Sequence, residues 1–285
     1  KFMGVQMQVD DGRPARSIVS NDFFTIRKDQ RFISKSENWV NCGNGLWRPL
    51  ISDLIPYMRE KNIFMSATVS SDILNAEIAL KSELVQHDLP YIFGVLQRPI
   101  LYRPVTSLNR ANAVPASKAL ANAIDYVIRA HPGERGIIHS NSYALQSAIY
   151  NALPDRVKAV TLEHTRGIGR AEILSRFRSD TRPIWLLSPA VTHGEDFPDD
   201  IARCQIVCKV PYPDLGDPVM AARARTIVFM GMNYYTSVTA QNLTQICGRI
   251  IRNKKDYGET VILDGAFGGI VSYLPQGLRD AIVYV

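Results

Sequence analysis

The segment Thr239–Arg252, T-A-Q-N-L-T-Q-I-C-G-R-I-I-R, is the stretch around which the other motifs of the chain are arranged. Its apolar residues recur at the helical angle of about 100° per residue, which predicts one amphipathic helix. The apolar stripe consists of Leu243, Ile246, Cys247, Ile250 and Ile251. Gln245, Arg249 and Arg252 fall on the opposite face. Two guanidiniums on one rigid face suit a phosphate. A solvated basic face is the alternative interpretation.

The composition is that of a globular protein. The chain has 285 residues, of which 46% are hydrophobic and 21% charged, and its net charge is +6. This charge is compatible with a nucleic-acid partner but does not require one. No apolar run approaches the roughly 18 residues of a membrane helix, and no signal-peptide segment opens the chain, so we expect an intracellular protein without membrane contact. Because the chain does not begin with Met, we expect a piece of a longer protein.

The four cysteines are predicted to be buried thiols. Cys204 and Cys208 lie in an apolar strand and Cys247 in the apolar helix stripe, and no pair, Cys42 included, forms a C-x-x-C motif. Small apolar thiols of this kind are typical of a reducing compartment. The spacing of a metal or disulfide motif is lacking, and we therefore predict no metal site.

From residue 116 onward, short apolar segments alternate with amphipathic ones. The apolar segments are predicted strands at 136–139, 158–162, 184–188, 206–210 and 260–263. Uninterrupted apolar strands separated by helices predict an α/β fold, with a parallel sheet and helices on both faces. The strand ends that carry Ser140, Pro189 and Asp264 then share one edge, where such sheets bind ligands.

Polar groups follow several of these strands. H-S-N-S-Y at 139–143 offers hydroxyls, an amide, a ring and a helix start, either for nucleic-acid contact or as a helix cap. Glu195 and Asp196 lie in a constrained loop, either to orient an arginine or as an exposed acidic turn. Five arginines surround one helix, as a solvated face or as a phosphate track. These arginines are Arg166, Arg170, Arg176, Arg178 and Arg182.

The order and spacing of these motifs resemble the carboxyl-terminal half of superfamily 2 DNA helicases of the XPD/DinG type. The resemblance covers about residues 50–285, and its most specific part is the Gln245–Gly258 segment, which resembles motif VI. S-A-T at 66–68 resembles motif III, and H-S-N-S-Y at 139–143 resembles motif IV. G-E-D-F-P at 194–198, together with P-Y-P at 211–213, resembles motif V. Glu195 departs from the pattern, since the family usually has an aliphatic residue there.

The resemblance implies a RecA-like fold and a division into lobes. Residues 1–80 would end a first lobe, 81–115 would connect the lobes, and 116–285 would form the complete second lobe. The chain contains no G-x-x-x-x-G-K-[ST] and no Asp-Glu dipeptide. The family's main elements for binding ATP and Mg²⁺ are thus absent from it. An iron–sulfur cluster would be possible only in an upstream part.

The resemblance also implies roles for residues at an ATP site between the lobes. Arg249 and Arg252 would be arginine fingers, and Gln245 would help to orient this end of the site. Gly194 and Asp196 would approach the nucleotide.

The remaining implied roles concern the nucleic acid. Ser66 and Thr68 would couple the nucleotide site to the DNA groove. The implied contacts with a single strand are Ser140, Asn141, Tyr143, Thr192 and His193.

The implied function is that of the C-terminal portion of an ATP-dependent DNA helicase. It would move 5′ to 3′ on single-stranded DNA or a single-strand/duplex junction, would need the missing N-terminal lobe, and would be inactive alone. It would act in a bacterial, phage or plasmid context, or in a nucleus. A non-catalytic nucleic-acid-binding or regulatory module and a protein-interaction scaffold are alternatives. The joint presence of Gln245, Arg249 and Arg252 favours the enzyme.

Overall fold

The computed structural model describes residues 91–190, 195–217 and 232–285, a few positions in 218–231, and the backbone of four short strands in the first 50 residues. The chain divides into two compact units, one made of Asp88–Tyr212 and Val238–Val285 and the other of Lys1–His87 and Pro213–Ser237. In the latter unit, the described backbone forms short antiparallel strand pairs. They are Thr25–Ile26 with Phe32–Ile33, Trp39–Asn41 with Trp47–Pro49, and Val228–Phe229 with Met232–Asn233.

A parallel sheet of seven strands organises the described part of the first unit. The strands are β1 (Ile100–Thr106), β2 (Gly136–His139), β3 (Thr161–Glu163), β4 (Trp185–Ser188), β5 (Cys204–Val207), β6 (Glu259–Asp264) and β7 (Ile282–Tyr284). Their order is β7-β1-β6-β5-β2-β4-β3, and every neighbouring pair is parallel. The predicted α/β fold with a parallel sheet is confirmed.

Helices cover both faces of this sheet. They are α1 (Ser117–Ala130), α2 (Tyr143–Ala152), α3 (Asp155–Lys158), α4 (Arg170–Ser179), α5 (Tyr234–Cys247) and α6 (Gln276–Arg279). Among the residues that the structure describes, no helix is long and apolar enough to cross a membrane.

Successive strand residues pack on opposite faces of the sheet, as the pleat requires. Ile138 and Leu187 belong to the core under α1 and α2. Their neighbours Ile137 and Leu186 belong to the core under α4. Burial on both faces explains why these strands have uninterrupted apolar sequences.

One strand of the sheet lies before residue 116, within the segment 81–115. Ile100–Thr106, which the sequence placed in a connection, is strand β1 between β6 and β7. Pro104 lies inside this strand although proline cannot donate to a strand ladder. The pairing with β6 is irregular between Ile262 and Asp264, and β7 pairs only as far as Tyr102. The proline therefore lies where the ladder is already interrupted.

The contact between Gly136 and Trp185 yields a stability prediction. A Cβ atom on Gly136 would lie 2.3 Å from Cζ3 of the buried Trp185. We expect Gly136→Ala to lower the free energy of unfolding by about 1–3 kcal/mol, because the core cannot accept the added methyl group without shifting. Denaturant unfolding measures this change. Gly167→Ala is the control, since nothing lies within 4 Å of its added Cβ. Equal stability of the two variants would contradict the steric explanation.

Candidate phosphate-binding site

The helix of the Thr239–Arg252 segment ends earlier than the sequence predicts. Helix α5 ends at Cys247, and Gly248 begins an irregular turn that contains Arg249 and Arg252. The prediction that Gln245, Arg249 and Arg252 share one helical face is therefore wrong. Gln245 is half-buried within α5, whereas the two arginines follow the helix.

The physical reason is that the apolar residues of this segment serve two different cores. Leu243 and Ile246 pack in the core that contains Ile262 of β6. Ile250 and Ile251 pack instead in the core under α4. One straight helix could not place both pairs in these positions, so the chain turns at Gly248.

A buried polar row supports the end of α5. The side-chain amide of Gln205 donates to the Ile246 carbonyl at 2.9 Å and to Oγ1 of Thr260 at 2.8 Å. Its carbonyl oxygen accepts from Nε2 of His139 at 3.2 Å. Gln205 thereby satisfies a carbonyl in the last turn of the helix. Burial, and then the nearby charge of Arg249, lower the pKa of His139 to about 3, so the imidazole is neutral at pH 7.

The carboxylate of Asp256 fixes the turn that follows. Its Oδ2 accepts from the main-chain N–H of Arg252 at 3.1 Å and of Asp199 at 3.3 Å. Its Oδ1 accepts from Nη1 of Arg203 at 2.6 Å and from the main-chain N–H of Tyr257 at 3.0 Å. The carboxylate is fully buried and has four donors, which compensate for its loss of water. Asp256 therefore joins the turn after α5 to the loop that precedes β5.

Arg249 is held in a largely buried position beside the loop that follows β4. Only 4% of the residue is exposed. Its Nη1 donates to the Glu195 carbonyl at 2.8 Å, and its own carbonyl accepts from the Phe197 N–H at 3.1 Å. Burial lowers its pKa to about 10, and the charges of Arg170 and Arg252 act in the same direction. The guanidinium thus stays charged at neutral pH.

Three further arginines face the same loop. Arg252 donates through Nη2 to Oδ1 of Asp196. Arg178 donates to Oε2 of Glu195 at 2.7 Å, and Nη2 of Arg170 lies 3.6 Å from Oε1. We call Arg170, Arg178, Arg249 and Arg252 the arginine cluster. Its four positive charges meet the two carboxylates of this loop, an excess that suits an anion.

The contacts of Glu195 show how the arginines around α4 divide between different partners. The five arginines around α4 do not act as one set. Arg170 and Arg178 turn toward Glu195, whereas Arg176 pairs with Glu172 at 2.5 Å and Arg182 with Asp180 at 2.6 Å.

The H-S-N-S-Y segment makes a tight turn from β2 into α2. Ser140 is fully buried, and its hydroxyl donates to the Ser142 carbonyl over a long distance of 3.5 Å. Asn141 has φ of 64°, a left-handed conformation that Asn tolerates better than most residues. Ser142 caps α2 by accepting from the Leu145 N–H at 3.2 Å. The cap interpretation is therefore confirmed for Ser142.

Tyr143 belongs to a partly exposed group beside this turn. Its ring packs edge-on against His164, with centroids 5.7 Å apart, and the Arg166 guanidinium lies 5.5 Å from its ring centroid. His164 is buried; its Nδ1 is 2.8 Å from Oγ of Ser188, and its Nε2 is 3.0 Å from the Ile168 carbonyl. Sequence reasoning missed His164 and Gln205, and it included Asp256 only as a member of the Gln245–Gly258 segment, without a role. A polar residue next to or inside an apolar strand was the available signal for the first two.

Five of the residues singled out from the sequence lie outside the residues that the structure describes. They are Ser66, Thr68, Thr192, His193 and Gly194.

The seven-stranded parallel sheet with helices on both faces is the architecture of a RecA-like α/β lobe. A family profile described as "Helicase C-terminal domain" matches residues 124–281, and the chain belongs to this family. The resemblance to the carboxyl-terminal region of XPD/DinG-type superfamily 2 helicases is thereby confirmed.

Among curated proteins, the chain is similar to the Regulator of telomere elongation helicase 1 homologs of Drosophila willistoni and Drosophila virilis. The identities are 30% and 29% over 86 residues, which are 27% of this chain and 9% of each relative. The match thus spans about a tenth of these relatives' length.

Among solved structures, the fold is similar to S. tokodaii Xpd4, with a TM-score of 0.49 and 12% identity over 66% of this chain and 38% of that one. The C-terminal domain of the DEAD-box protein Dbp5 gives a TM-score of 0.36 and 14% identity, over 67% of this chain and 92% of that one.

The buried carboxylate of Asp256 yields a second stability prediction. We expect Asp256→Ala to lower the free energy of unfolding by about 3–5 kcal/mol, because it leaves buried donors without their acceptor. Asp200→Ala is a matched control, since Asp200 pairs with the same Arg203 but is 95% exposed. Its effect should stay within about 1 kcal/mol. Denaturant unfolding of both variants checks the difference, and equal losses would contradict it.

The depressed pKa of His139 predicts a pH dependence of stability. Between pH 6.5 and pH 3, the unfolded chain binds a proton that the folded chain does not, so stability falls as pH falls. From pH 7 to pH 5, His139 should account for about 2 kcal/mol of the lost unfolding free energy. Denaturant unfolding of the wild type and of His139→Gln at both pH values isolates this part. An identical pH dependence of the two proteins would contradict the assignment.

Proposed function

We propose that the chain is the C-terminal part of an ATP-dependent DNA helicase, in which Arg249 and Arg252 stabilise the charge on the transferring phosphoryl group of ATP. The observation that carries this proposal is that both arginines contact two consecutive residues of one loop, Glu195 and Asp196. Two guanidiniums aimed at one place can meet several oxygens of a phosphate.

The burial of Arg249 supports a role at an anion. Removing a guanidinium from water is unfavourable, and burial lowers the pKa of Arg249 to about 10 although Asp196 and Glu195 lie nearby. A phosphate placed beside Arg249 would supply the negative charge. Because the Glu195 carbonyl already orients the guanidinium, little reorganisation would accompany phosphate binding.

Arg252 is suited to exchange its carboxylate partner for a phosphate. Its ion pair with Asp196 is exposed, and such pairs contribute only about 0–1 kcal/mol. A phosphate could therefore take the place of Asp196 at little cost. Asp196 would hold Arg252 in place while no nucleotide is bound. Gly194 would let the loop approach the nucleotide. Gln245 would orient this end of the site.

The cofactors of the proposed activity are ATP and Mg²⁺. Among the described residues, the group that could hold a metal ion contains a thiol and an imidazole, which do not suit Mg²⁺. The phosphate-binding loop and the Mg²⁺ ligands would come from the N-terminal helicase lobe, so this chain alone would not hydrolyse ATP. Residues 1–80 would belong to that lobe, and the second lobe would begin at β1.

The nucleic-acid partner would be single-stranded DNA or a single-strand/duplex junction, with movement from 5′ to 3′. Tyr143 offers a partly exposed ring with Arg166 beside it, a combination that binds bases and phosphates. Asn141, Thr192 and His193 would add contacts, and Ser66 and Thr68 would couple the two sites. The protein would act inside the cell, where DNA is found.

A mutation in the full-length protein tests the proposal. We expect Arg252→Ala to lower ATP turnover by roughly 10³-fold or more, the effect typical of a lost arginine finger, while binding of a single-stranded oligonucleotide persists. Steady-state ATP hydrolysis and fluorescence anisotropy measure the two properties. Arg182→Ala is the control, because Arg182 is an exposed arginine paired with Asp180.

Unchanged turnover in Arg252→Ala would reject the catalytic role. If the wild type bound single strands but hydrolysed no ATP, the non-catalytic nucleic-acid-binding module would be the correct alternative. Loss of turnover in Arg182→Ala to the same extent would show a general effect of removing positive charge.

A further inference from the structure

Three side chains that can bind metal ions converge at the amino-terminal ends of β5 and β6. They are those of His131, Cys204 and Glu259, and their ligand atoms all lie within 4.8 Å of one another. Nε2 of His131 is 2.9 Å from Oε1 of Glu259, and Sγ of Cys204 is 3.9 Å from the same oxygen. The proposed ATP chemistry uses none of these groups.

The fold holds these residues on rigid elements. Cys204 and Glu259 are the first residues of β5 and β6 and are direct partners in the parallel register. His131 is the C-cap residue of α1, which packs on the same face of the sheet. Glycine at position 258 lets the start of β6 approach Arg203 closely, because a Cβ on Gly258 would lie 2.9 Å from the Arg203 carbonyl oxygen. The three ligands thus have fixed main-chain positions.

The imidazole of His131 is oriented as in many metal sites. Its Nδ1 lies 2.8 Å from the Val127 carbonyl, and since a carbonyl only accepts, Nδ1 carries a proton and donates. Because a carboxylate oxygen also only accepts, Nε2 donates to Glu259 in the structure, and this contact raises the pKa of His131. Loss of that proton to solvent leaves on Nε2 a lone pair directed toward Cys204 and Glu259. Metal-bound histidines usually make this kind of hydrogen bond through their second nitrogen.

We infer that His131, Cys204 and Glu259 form a Zn²⁺ site that ties helix α1 to strands β5 and β6. Thiolate, imidazole and carboxylate are all zinc ligands, and a thiolate excludes Mg²⁺ and Ca²⁺ as preferred ions. Bond lengths of about 2.0–2.3 Å around a tetrahedral ion require ligand atoms roughly 3–4 Å apart, so small side-chain movements suffice. A water molecule would complete the tetrahedron.

Binding exchanges protons for the ion. The Cys204 Sγ–H bond breaks, an Sγ–Zn bond forms, and the proton goes to solvent; any proton on Nε2 of His131 leaves in the same way. No oxidation or reduction occurs. With one thiolate, one carboxylate and a neutral imidazole, the ligand charge balances that of Zn²⁺. His131 and Glu259 are partly exposed, which gives the ion a path to the buried thiol.

Spacing along the sequence does not show this site. Its ligands lie 73 and 55 residues apart along the chain, and the parallel register brings Cys204 and Glu259 together. The prediction that the chain has no metal site rested on motif spacing alone, and we replace it with this proposal.

Cobalt substitution of the whole 285-residue chain tests the site. A chelator and dialysis first remove any bound metal, and Co²⁺ is then added as the probe. We expect one equivalent to give a thiolate-to-cobalt charge-transfer band and intense visible bands of tetrahedral Co²⁺, and we expect Zn²⁺ but not Mg²⁺ to abolish them. Cys204→Ala should lose the charge-transfer band. Cys208→Ala should keep it, because Cys208 is an equally buried thiol that directly follows the last residue of β5.

A second variant keeps the test decisive if Cys204→Ala does not fold. His131→Gln changes a partly exposed residue and should weaken Co²⁺ binding by more than the roughly 10- to 100-fold that outer-shell changes cause. Circular dichroism confirms folding of each variant without metal. Absence of the charge-transfer band in the wild type, its persistence in folded Cys204→Ala, or unchanged Co²⁺ affinity in His131→Gln would overturn the proposal.

Discussion

The buried carboxylate of Asp256 is the interaction on which the turn that carries Arg252 depends. It accepts from main-chain N–H groups of Arg252 and Asp199 and from the side chain of Arg203. The turn after α5 and the loop before β5 are thereby held in one arrangement. Without this acceptor, the donors would be buried without partners, which is strongly unfavourable. The position of Arg252 relative to Asp196 is a consequence of this contact.

Arg249 and Arg252, which both lie in the turn after α5, differ in how firmly they are held. Arg249 is buried and oriented by a main-chain carbonyl, so its position changes little when charge arrives. Arg252 is in an exposed pair that can exchange one anion for another. A site that binds and releases a nucleotide in each cycle needs both properties. The proposed Zn²⁺ site lies instead at the amino-terminal ends of β5 and β6, where it would stabilise the sheet and would not take part in the cycle.

The sheet could be predicted from the sequence because burial on both faces leaves uninterrupted apolar strands, such as Trp185–Ser188. The end of α5 could not, since Ile250 and Ile251 continue the helical period although they face another core. The sequence I-L-Y-R-P-V at 100–105 allows strand β1 but does not place it in the same sheet, because nothing local shows that the ladder is already irregular at Pro104. The contacts of Asp256 join residues far apart along the chain, so sequence motifs identified the arginines but not their supports.

The most direct test of the central claim is a structure of the full-length protein with ADP and aluminium fluoride, which mimics the transferring phosphoryl group. The guanidinium nitrogens of Arg249 and Arg252 should lie within about 3 Å of the fluoride or phosphate oxygen atoms, with Asp256 still bound to the Arg252 N–H. A bound nucleotide analogue that neither Arg249 nor Arg252 contacts, with Arg252 still paired with Asp196, would contradict the claim.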